Sequence, residues 1–271
     1  MTTPKGIVGV FDRAAETYDD VGVPWFRPIA SGLVEELAVR LGERVLDVGC
    51  GRGALLAPLA SAVGLTGRVL GIDLAPRMVN RTAEDFLDLP QVEVRIADAA
   101  APGLPVSSFD VVASSLVLFF LPDPAAAIRS WTDLLVSGGR MGVTTFGPQD
   151  ERWREIDAVF TPYLPKEMLD ARTSGSRGPF ASDEGVEGPL REGGLIEVRT
   201  AHRVVEAVFR DAEHLVEFSW SHGQRAMWEA VPRREHPALR QRMVELARGF
   251  GNESGRFSFT QPVRHTLGAA A

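Results

Sequence analysis

A ten-residue stretch, RVLDVGCGRG at residues 44–53, constrains more than any other how this chain can fold. It begins with an apolar run that contains one acid, Asp47, and it ends with Gly49, Gly51 and Gly53. An apolar run followed by glycines predicts a buried parallel strand and a tight turn that opens a helix. Glycine allows a positive φ in such a turn and lets a ligand lie against bare backbone. The stretch therefore predicts a binding site for a nucleotide-type cofactor.

The glycine turn alone does not identify that cofactor. Gly49-x-Gly51-x-x-Ala54 also fits the dinucleotide fingerprint, and Asp73 follows at about the spacing expected of an acid that binds a ribose. A nicotinamide-dependent reductase is therefore an alternative at this point. It gives no reason, however, for an acid-small pair such as Asp98-Ala99 at the end of a later strand.

Apolar strand-like runs alternate with helix-like segments through the first half of the chain. Helices are predicted at residues 54–63 and 125–136, with Asp123 as N-cap and Pro124 in the first turn of the second helix. Further strands are predicted at residues 68–73, 92–98, 109–115 and 137–146. Strands that alternate with helices indicate an α/β fold.

Taken together, these segments resemble the class I S-adenosylmethionine-dependent methyltransferases, and within them the branch of ubiquinone and menaquinone biosynthesis C-methyltransferases. The resemblance covers about residues 8–146 and rests on six motifs in the family's order: DVGCGRG at 47–53, GIDL at 71–74, ADA at 97–99, FDVV at 109–112, LPD at 121–123 and SGG at 137–139. Upstream, FDRAAETYD at 11–19 is similar to the family's cofactor-covering segment. The resemblance implies a doubly wound, Rossmann-like sheet of seven strands, the last antiparallel, with a helical cap or lid.

The resemblance also implies where the methionine end of the cofactor, S-adenosylmethionine, would bind. Gly49, Cys50 and Gly51 would lie against the methionine moiety. Asp47 would lie beneath them near the ammonium group, and Tyr18 would close over the carboxylate. For Cys50, packing against the cofactor is preferred over nucleophilic chemistry.

The nucleoside end is assigned to the next two strands. Asp73 would accept hydrogen bonds from the ribose hydroxyls, and Leu74 and Met78 would flank the adenine. Asp98 would accept from the adenine amino group, with the amide of Ala99 beside it. The chemistry agrees, because acids at the carboxyl ends of successive parallel strands meet at the crevice where such sheets bind ligands.

The reacting centre follows strand four, where the resemblance puts Ser115 and Leu116 near the sulfonium. Methyl transfer is an in-line displacement that needs proximity and an electron-rich acceptor, so a base is not obligatory. His222 lies among aromatics in WSHG and is the candidate catalytic base, with an ordinary hydrogen-bonded histidine as the alternative. The remaining histidines are expected to be exposed because they lie in polar stretches; they are His202, His214, His236 and His265. No spacing typical of a metal site is present, and no metal is proposed.

Two positions depart from the family pattern. Ala75 stands where many relatives have a Ser or Thr helix cap, which costs about 1 kcal/mol of local stability. Phe119 and Phe120 stand where relatives often carry a pair of histidines. If these rings are not simply core, they remove polar groups from the acceptor site and favour an apolar or aromatic acceptor.

The second half of the chain is predicted to form a cap, or lid, and to complete the same domain. Residues 1–146 would form the cofactor-binding core with its N-terminal lid segment, and residues 147–271 the rest. Helices are predicted at residues 150–160, 182–193, 211–230 and 237–250, strands at 195–209 and 256–266, and a mobile lid loop at 170–179.

Composition narrows the choice of partners and location. With 36 acids against 29 bases and a net charge of −7, a nucleic-acid substrate is disfavoured. Apolar runs stay short of the roughly 18 residues of a membrane span, and no signal peptide is recognisable, so a cytoplasmic protein is expected. The single cysteine, Cys50, fits a reducing compartment. Two lysines among 29 basic residues suggest a high-GC bacterial gene.

The sequence therefore predicts an S-adenosylmethionine-dependent methyltransferase that acts on a hydrophobic small molecule: a quinone, a polyketide, a terpenoid or a peptide-derived natural product. The methylated atom, oxygen, carbon or nitrogen, stays open, as does the oligomeric state, with a homodimer as one option. Three alternatives are kept. They are the same fold and cofactor used for a non-methylating cyclisation or rearrangement, an NAD(P)-dependent reductase, and a non-catalytic ligand-binding protein.

Overall fold

A computed structural model describes residues 6–165 and 178–271 and contains one seven-stranded sheet. The strands are β1 Arg44–Val48, β2 Arg68–Asp73, β3 Val92–Ile96, β4 Phe109–Ser115, β5 Leu135–Phe146, β6 Leu195–Phe209 and β7 Phe257–Ala270. Their order is β3-β2-β1-β4-β5-β7-β6, with β1 to β5 parallel and β7 antiparallel to both of its neighbours. The predicted doubly wound fold with an antiparallel last strand is confirmed. Strand order reverses between β1 and β4, where sheets of this type bind ligands.

Ten α-helices flank the sheet or form the cap within the described part of the chain. They are α1 Gly6–Ala14, α2 Phe26–Leu37, α3 Leu56–Val63, α4 Pro76–Asp85, α5 Pro124–Thr132, α6 Glu151–Ala158, α7 Asp183–Glu192, α8 Ala212–Ser221, α9 Arg225–Ala230 and α10 His236–Arg248. None of them has the length and apolar character needed to cross a bilayer.

Two predictions for the second half of the chain need comment. The single helix predicted at residues 211–230 is wrong, because α8 and α9 are separate. His222 is extended (φ −139°, ψ −158°) and Gly223, a poor helix former, follows it. Most of the predicted mobile lid loop, residues 170–177, lies outside the described residues.

Aspartates at strand ends and helix starts fix the local geometry. The predicted N-cap is confirmed: Asp123 Oδ1 accepts from the amide of Ala126 at 2.9 Å at the start of α5. Ala75 offers no side-chain cap to α4, as expected, but the amide of Ala75 donates to Asp73 Oδ1 at 2.9 Å. The acid at the end of β2 thus replaces part of the missing cap.

The cap is built on a part of the sheet that extends past β5. β5 pairs with β7 only as far as Phe146 and Val263, whereas β6 and β7 stay paired to Phe209 and Phe257. Helix α8 packs on β6 and contacts α9 and α10, and α10 contacts α6. Trp153 of α6 contacts Phe209 and Phe259 of the extension. Their shared core is rich in buried aromatic rings: Trp25, Phe26, Trp153, Phe160, Phe209, Phe218, Trp228, Phe257 and Phe259. This aromatic cluster also includes Leu116 and therefore reaches the carboxyl end of β4.

Candidate active site

The glycine turn lies at the carboxyl end of β1, at the reversal point of the sheet. Gly49 has φ 75°, and a Cβ there would lie 2.4 Å from Val117 Cγ2, so only glycine lets the turn close against the chain after β4. Gly51 has φ 50°, and no atom lies within 4 Å of a Cβ built there. The turn is thus packed on one side and open on the other, as a cofactor cradle requires.

Asp47 lies beneath this turn with an unusual lack of partners. Its side chain is 1% exposed, and neither carboxylate oxygen has a hydrogen-bond partner within the described residues. Burial raises the pKa of Asp47 well above its usual range, and the charge of Asp73 raises it further. A buried carboxylate is costly unless a cation or a donor meets it. The arrangement fits a ligand that brings an ammonium group.

Asp73 holds the turn and the start of α4 together. Its Oδ2 accepts from the amide of Gly51 and its Oδ1 from the amide of Ala75, both at 2.9 Å. Burial raises the pKa of Asp73, although these amide donors oppose the shift. Each carboxylate oxygen keeps a second lone pair, which ribose hydroxyls can use. Its predicted role in ribose binding stays a prediction.

Cys50 packs against β2. It is 5% exposed, and a Cβ built on Gly71 would lie 3.0 Å from its Sγ. Burial raises the pKa of the Cys50 thiol well above its ordinary value, so the thiol stays protonated and unreactive.

Residues 6–19, which we call the N-terminal segment, cover the glycine turn. Arg52, within the turn, donates through Nη1 to the carbonyl oxygen of Ala15. The Tyr18 ring stacks on Phe26 with centroids 4.6 Å apart, and burial raises its pKa. Met78 is 1% exposed and packs with Ala15 below Tyr18. The structure thus brings Tyr18 and Met78 to the neighbourhood of the turn.

Two of the predicted adenine residues, Leu74 and Asp98, are more exposed. Leu74 is 41% exposed at the end of β2. Asp98 lies in an exposed turn after β3, where its Oδ1 accepts from the amide of Ala100 at 2.8 Å. The carbonyl oxygen of Ala99 accepts from Trp131 Nε1 at 2.7 Å, which anchors this turn to α5. Their contacts with adenine stay predictions.

The chain after β4 is held in a strained conformation. Leu116 has φ 62°, a left-handed value that costs a non-glycine residue about 1–3 kcal/mol. Its amide donates to the carbonyl oxygen of Thr144 at 3.0 Å, and its side chain is 8% exposed in the aromatic cluster. The sharp turn brings Ser115 and Leu116 to the edge where the glycine turn opens. Strain of this kind is concentrated at functional sites.

His222 lies at the end of α8 with one ring nitrogen engaged. Its Nδ1 is 2.6 Å from the carbonyl oxygen of Phe218, so Nδ1 carries the proton and Nε2 keeps a lone pair. Its ring packs on Phe218 at 4.3 Å and on Phe26 at 5.9 Å between centroids. Burial lowers the pKa of His222 to about 4, so the ring is neutral at pH 7.

The expectation that the other histidines are exposed is confirmed for His202 but not for His236, which is half-buried, and it is wrong for His214 and His265. They are 2% and 0% exposed, respectively. His214 Nε2 lies 2.6 Å from the carbonyl oxygen of Val21, and His265 Nδ1 lies 2.9 Å from Thr144 Oγ1. For His265 the reason is topological, because β7 lies between β5 and β6, and helices α2 and α7 both pack on it.

Four phenylalanines form a continuous row, which we call the aromatic wall. Phe11 contacts Phe120 at 5.3 Å between ring centroids, Phe120 contacts Phe119 at 4.5 Å, and Phe119 stacks on Phe146 at 5.7 Å. The sequence singled out the Phe119-Phe120 pair but missed Phe11 and Phe146, since only the fold brings them together. Within residues 6–165 and 178–271, no group of three His, Cys, Asp or Glu side chains is arranged to hold a metal ion.

Comparisons with known proteins agree with this geometry. A family described as "Methyltransferase domain" matches residues 46–143. The nocamycin O-methyltransferase of Saccharothrix syringae is 37% identical over 273 residues, which cover 96% of either chain. The chain belongs to the class I S-adenosylmethionine-dependent methyltransferases. Its cofactor is S-adenosylmethionine, and this membership favours methyl transfer over the nicotinamide reductase and the non-catalytic alternative.

Two further proteins are similar to this methyltransferase. The aklanonic acid methyltransferase DauC of a Streptomyces species (strain C5) is 38% identical over 168 residues, 61% of this chain and 76% of its own. The crystal structure of the YcgJ protein of Bacillus subtilis superposes with a TM-score of 0.58 at 15% identity, over 89% of this chain and 97% of that one. The structural likeness concerns the fold alone.

Proposed function

We propose that this methyltransferase transfers a methyl group to an oxygen atom of a hydrophobic natural product, such as a quinone, a polyketide, a terpenoid or a peptide-derived compound. The observation that carries the proposal is the pairing of the aromatic wall with a neutral His222 whose Nε2 is available. The names of two relatives, nocamycin O-methyltransferase and aklanonic acid methyltransferase, support the same substrate class and, for the first, the same methylated atom.

The residues around the glycine turn would hold the cofactor. The buried carboxylate of Asp47 would meet its ammonium group, and Gly49, Cys50 and Gly51 would lie along its methionine chain. Tyr18 would cover the same end from the N-terminal segment. When bound, S-adenosylmethionine supplies a methyl group on a positively charged sulfur, which is open to in-line attack.

The nucleoside would extend toward β2 and β3. Asp73 would accept from the ribose hydroxyls, with Leu74 and Met78 beside the adenine. Asp98 and the amide of Ala99 would meet the adenine edge. Ser115 and Leu116 would line the reacting end, where the strained turn after β4 keeps the backbone close.

His222 would act as the catalytic base. The hydrogen bond from Nδ1 to Phe218 fixes the tautomer, so Nε2 can accept a proton. A pKa of about 4 makes it a weak base, yet the proton of an acceptor hydroxyl becomes strongly acidic as the oxygen bonds to the methyl carbon. A neutral ring at physiological pH is therefore sufficient.

The aromatic wall would position the acceptor and exclude water. Phe120 is 37% exposed, whereas Phe11, Phe119 and Phe146 are partly buried, so the wall offers an apolar face. Aromatic faces bind flat apolar molecules through burial and offset stacking. Excluding water from this face favours transfer to the acceptor over hydrolysis.

The proposal is tested with the purified protein, S-adenosylmethionine and a panel of hydroxylated quinones and polyketides. We expect formation of S-adenosylhomocysteine together with a product that is heavier by one methyl group, and an O–CH₃ signal in its NMR spectrum. A product of unchanged mass formed without consumption of the cofactor would instead support the cyclisation or rearrangement alternative. A C–CH₃ or N–CH₃ signal would contradict oxygen as the acceptor atom.

The setting of the reaction is part of the same proposal. A reducing compartment, the cytoplasm, fits a chain with a single buried cysteine. The excess of 36 acids over 29 bases fits a small-molecule substrate better than a nucleic acid. Light scattering of the purified protein tests whether it forms a homodimer.

A further inference from the structure

A polar network lies at the edge of the aromatic cluster in the cap. Gln149 follows β5, Asp157 lies in α6, and Gln224 lies between α8 and α9. Gln149 Nε2 donates to Asp157 Oδ2 at 2.9 Å, and Gln224 Nε2 donates to Asp157 Oδ1 at 2.6 Å. Both amides thus converge on one carboxylate.

The carboxylate fixes the orientation of the Gln224 amide. An ionised carboxylate only accepts hydrogen bonds, so the nitrogen of Gln224 must face Asp157 and its Oε1 must face elsewhere. Gln224 is 8% exposed, and its Oε1 has no hydrogen-bond partner among the described residues. A buried acceptor without a donor costs about 1–3 kcal/mol. The chain therefore keeps an oriented, unsatisfied acceptor in a mainly apolar cap.

The connection that carries this acceptor lies against the aromatic wall. Gln224 is two residues from His222 in the same connection. Between them, a Cβ built on Gly223 would lie 3.5 Å from the ring of Phe11, which contacts Phe120. The connection that carries the candidate base thus also carries the unsatisfied oxygen.

We propose that Gln224 Oε1 accepts a hydrogen bond from a second polar hydrogen of the acceptor, a hydroxyl or N–H group that is not methylated. The inference rests on the proposed function and deepens it. The substrate is then a hydrophobic molecule with two hydrogen-bond donors, one that reacts beside His222 and one that Gln224 recognises. Gln224 is a specificity-determining residue, and Asp157 acts through it by fixing the orientation of its amide.

The test compares Gln224→Met with Gln149→Met. Both variants remove one amide donor to Asp157 and keep a side chain of similar length, but only the first removes the unsatisfied oxygen. Affinities are measured by titration of the protein saturated with S-adenosylhomocysteine. The probes are 2-hydroxyanthraquinone, its dihydroxy isomers and unsubstituted anthraquinone.

We expect at least one dihydroxy isomer to bind the unmodified protein about tenfold more tightly than 2-hydroxyanthraquinone, which is the ratio that one net hydrogen bond supports. Gln224→Met should remove this preference without weakening 2-hydroxyanthraquinone, and Gln149→Met should retain it. Equal loss in both variants would mean that the network only holds α6 in place, and an unchanged preference in Gln224→Met would also overturn the inference. If none of the probes bound the unmodified protein, the proposed acceptor class would fail, and the inference with it.

Discussion

A buried carboxylate without a donor is an expensive group to keep in a fold, and Asp47 is such a group within the described chain. Its position under the glycine turn explains why the fold keeps it, because a cofactor that carries an ammonium group would supply the missing partner. The free energy lost in the unliganded protein is then recovered on binding. Asp47 therefore lowers the stability of the unliganded protein and raises its affinity for the cofactor.

Asp47→Asn should therefore act in opposite directions on stability and on binding. The amide removes a buried ionisable group, so the free energy of unfolding of the unliganded protein should rise by about 1 kcal/mol. The affinity for S-adenosylhomocysteine should fall at least about tenfold, because a charge-assisted hydrogen bond is lost. Chemical denaturation and calorimetric titration measure the two effects.

Asp110→Asn is the matched control for this change. Asp110 pairs with Arg44 at 3.1 Å near the start of β1, where both side chains are partly exposed, so its loss should cost at most about 1 kcal/mol. Binding of S-adenosylhomocysteine should stay unchanged. If Asp47→Asn behaved like Asp110→Asn in both measurements, the ammonium contact would be disproved.

The low pKa of His222 predicts how the rate of methyl transfer depends on pH. Its pKa of about 4 lies below the ordinary value of 6.5, and the base acts only when deprotonated, so Nε2 is available at every pH well above 4. The rate of methyl transfer should stay level between pH 7.5 and 5.5, whereas a histidine with an ordinary pKa would lose most of its activity over that range. His222→Asn should lower kcat by about 100-fold while leaving the affinity for S-adenosylhomocysteine intact.

The pH profile distinguishes a base from a packing residue. If His222→Asn kept full kcat, the histidine would be structural and the acceptor would need no base. If the unmodified enzyme lost activity with an apparent pKa near 6.5, a different group would be the base.

Among the elements, the glycine turn depends most on particular backbone conformations. Gly49 and Gly51 both have positive φ, but only Gly49 is also closely packed, with Val117 in the position that a Cβ would take. Gly49 is thus needed for the turn to fold, whereas Gly51 leaves space that a ligand can occupy.

Gly49→Ala should destabilise the protein more than Gly51→Ala, and both variants should lose cofactor binding. Alanine at Gly51 should lower the free energy of unfolding by about 1 kcal/mol, because only its left-handed backbone conformation is unfavourable. Alanine at Gly49 also collides with Val117 and should lower it by about 3 kcal/mol. Both methyl groups disturb the cradle, so both variants should lose measurable stabilisation by S-adenosylhomocysteine. Thermal unfolding with and without the ligand tests this. Equal destabilisation, or ligand binding retained by Gly51→Ala, would contradict it.

Buried parallel elements were the most predictable from the sequence. β2 and β4 have the predicted limits, since a strand covered by neighbours reads as an apolar run between turn residues. The limits of β6 are also as predicted, although β6 is an antiparallel strand at the edge of the sheet. The glycines and acids of the candidate site could also be singled out from the sequence, because they stand at or near strand ends, but their roles in binding stay predictions. What the sequence could not reveal depends on long-range packing: the burial of His265 in β7, the aromatic wall, and the network around Asp157. These groups meet only after the chain has folded.

In the molecule as a whole, the N-terminal segment contacts both the cofactor-binding core and the cap. Arg52 of the glycine turn donates to Ala15, so the segment is tied to the cofactor-binding core. Arg13 Nε donates to Glu229 Oε1 of α9 at 2.8 Å, which ties the same segment to the cap. A cofactor that ordered this segment would also stabilise the connection that carries His222 and Gln224.

This coupling predicts a distant effect of cofactor binding. In hydrogen–deuterium exchange, S-adenosylhomocysteine should slow exchange at residues 222–230 as well as at the glycine turn. The double variant Phe11→Ala/Arg13→Ala removes the ring beside Gly223 and the ion pair with Glu229, so it should abolish the protection at residues 222–230 while leaving that at residues 49–53. Phe250→Ala, which removes a ring from the far side of the aromatic cluster beside Phe257 and Phe259, should retain both. Protection of residues 222–230 that survived in the double variant would show that the core and the cap are coupled by another route. Protection lost equally in Phe250→Ala would indicate general loosening of the cap.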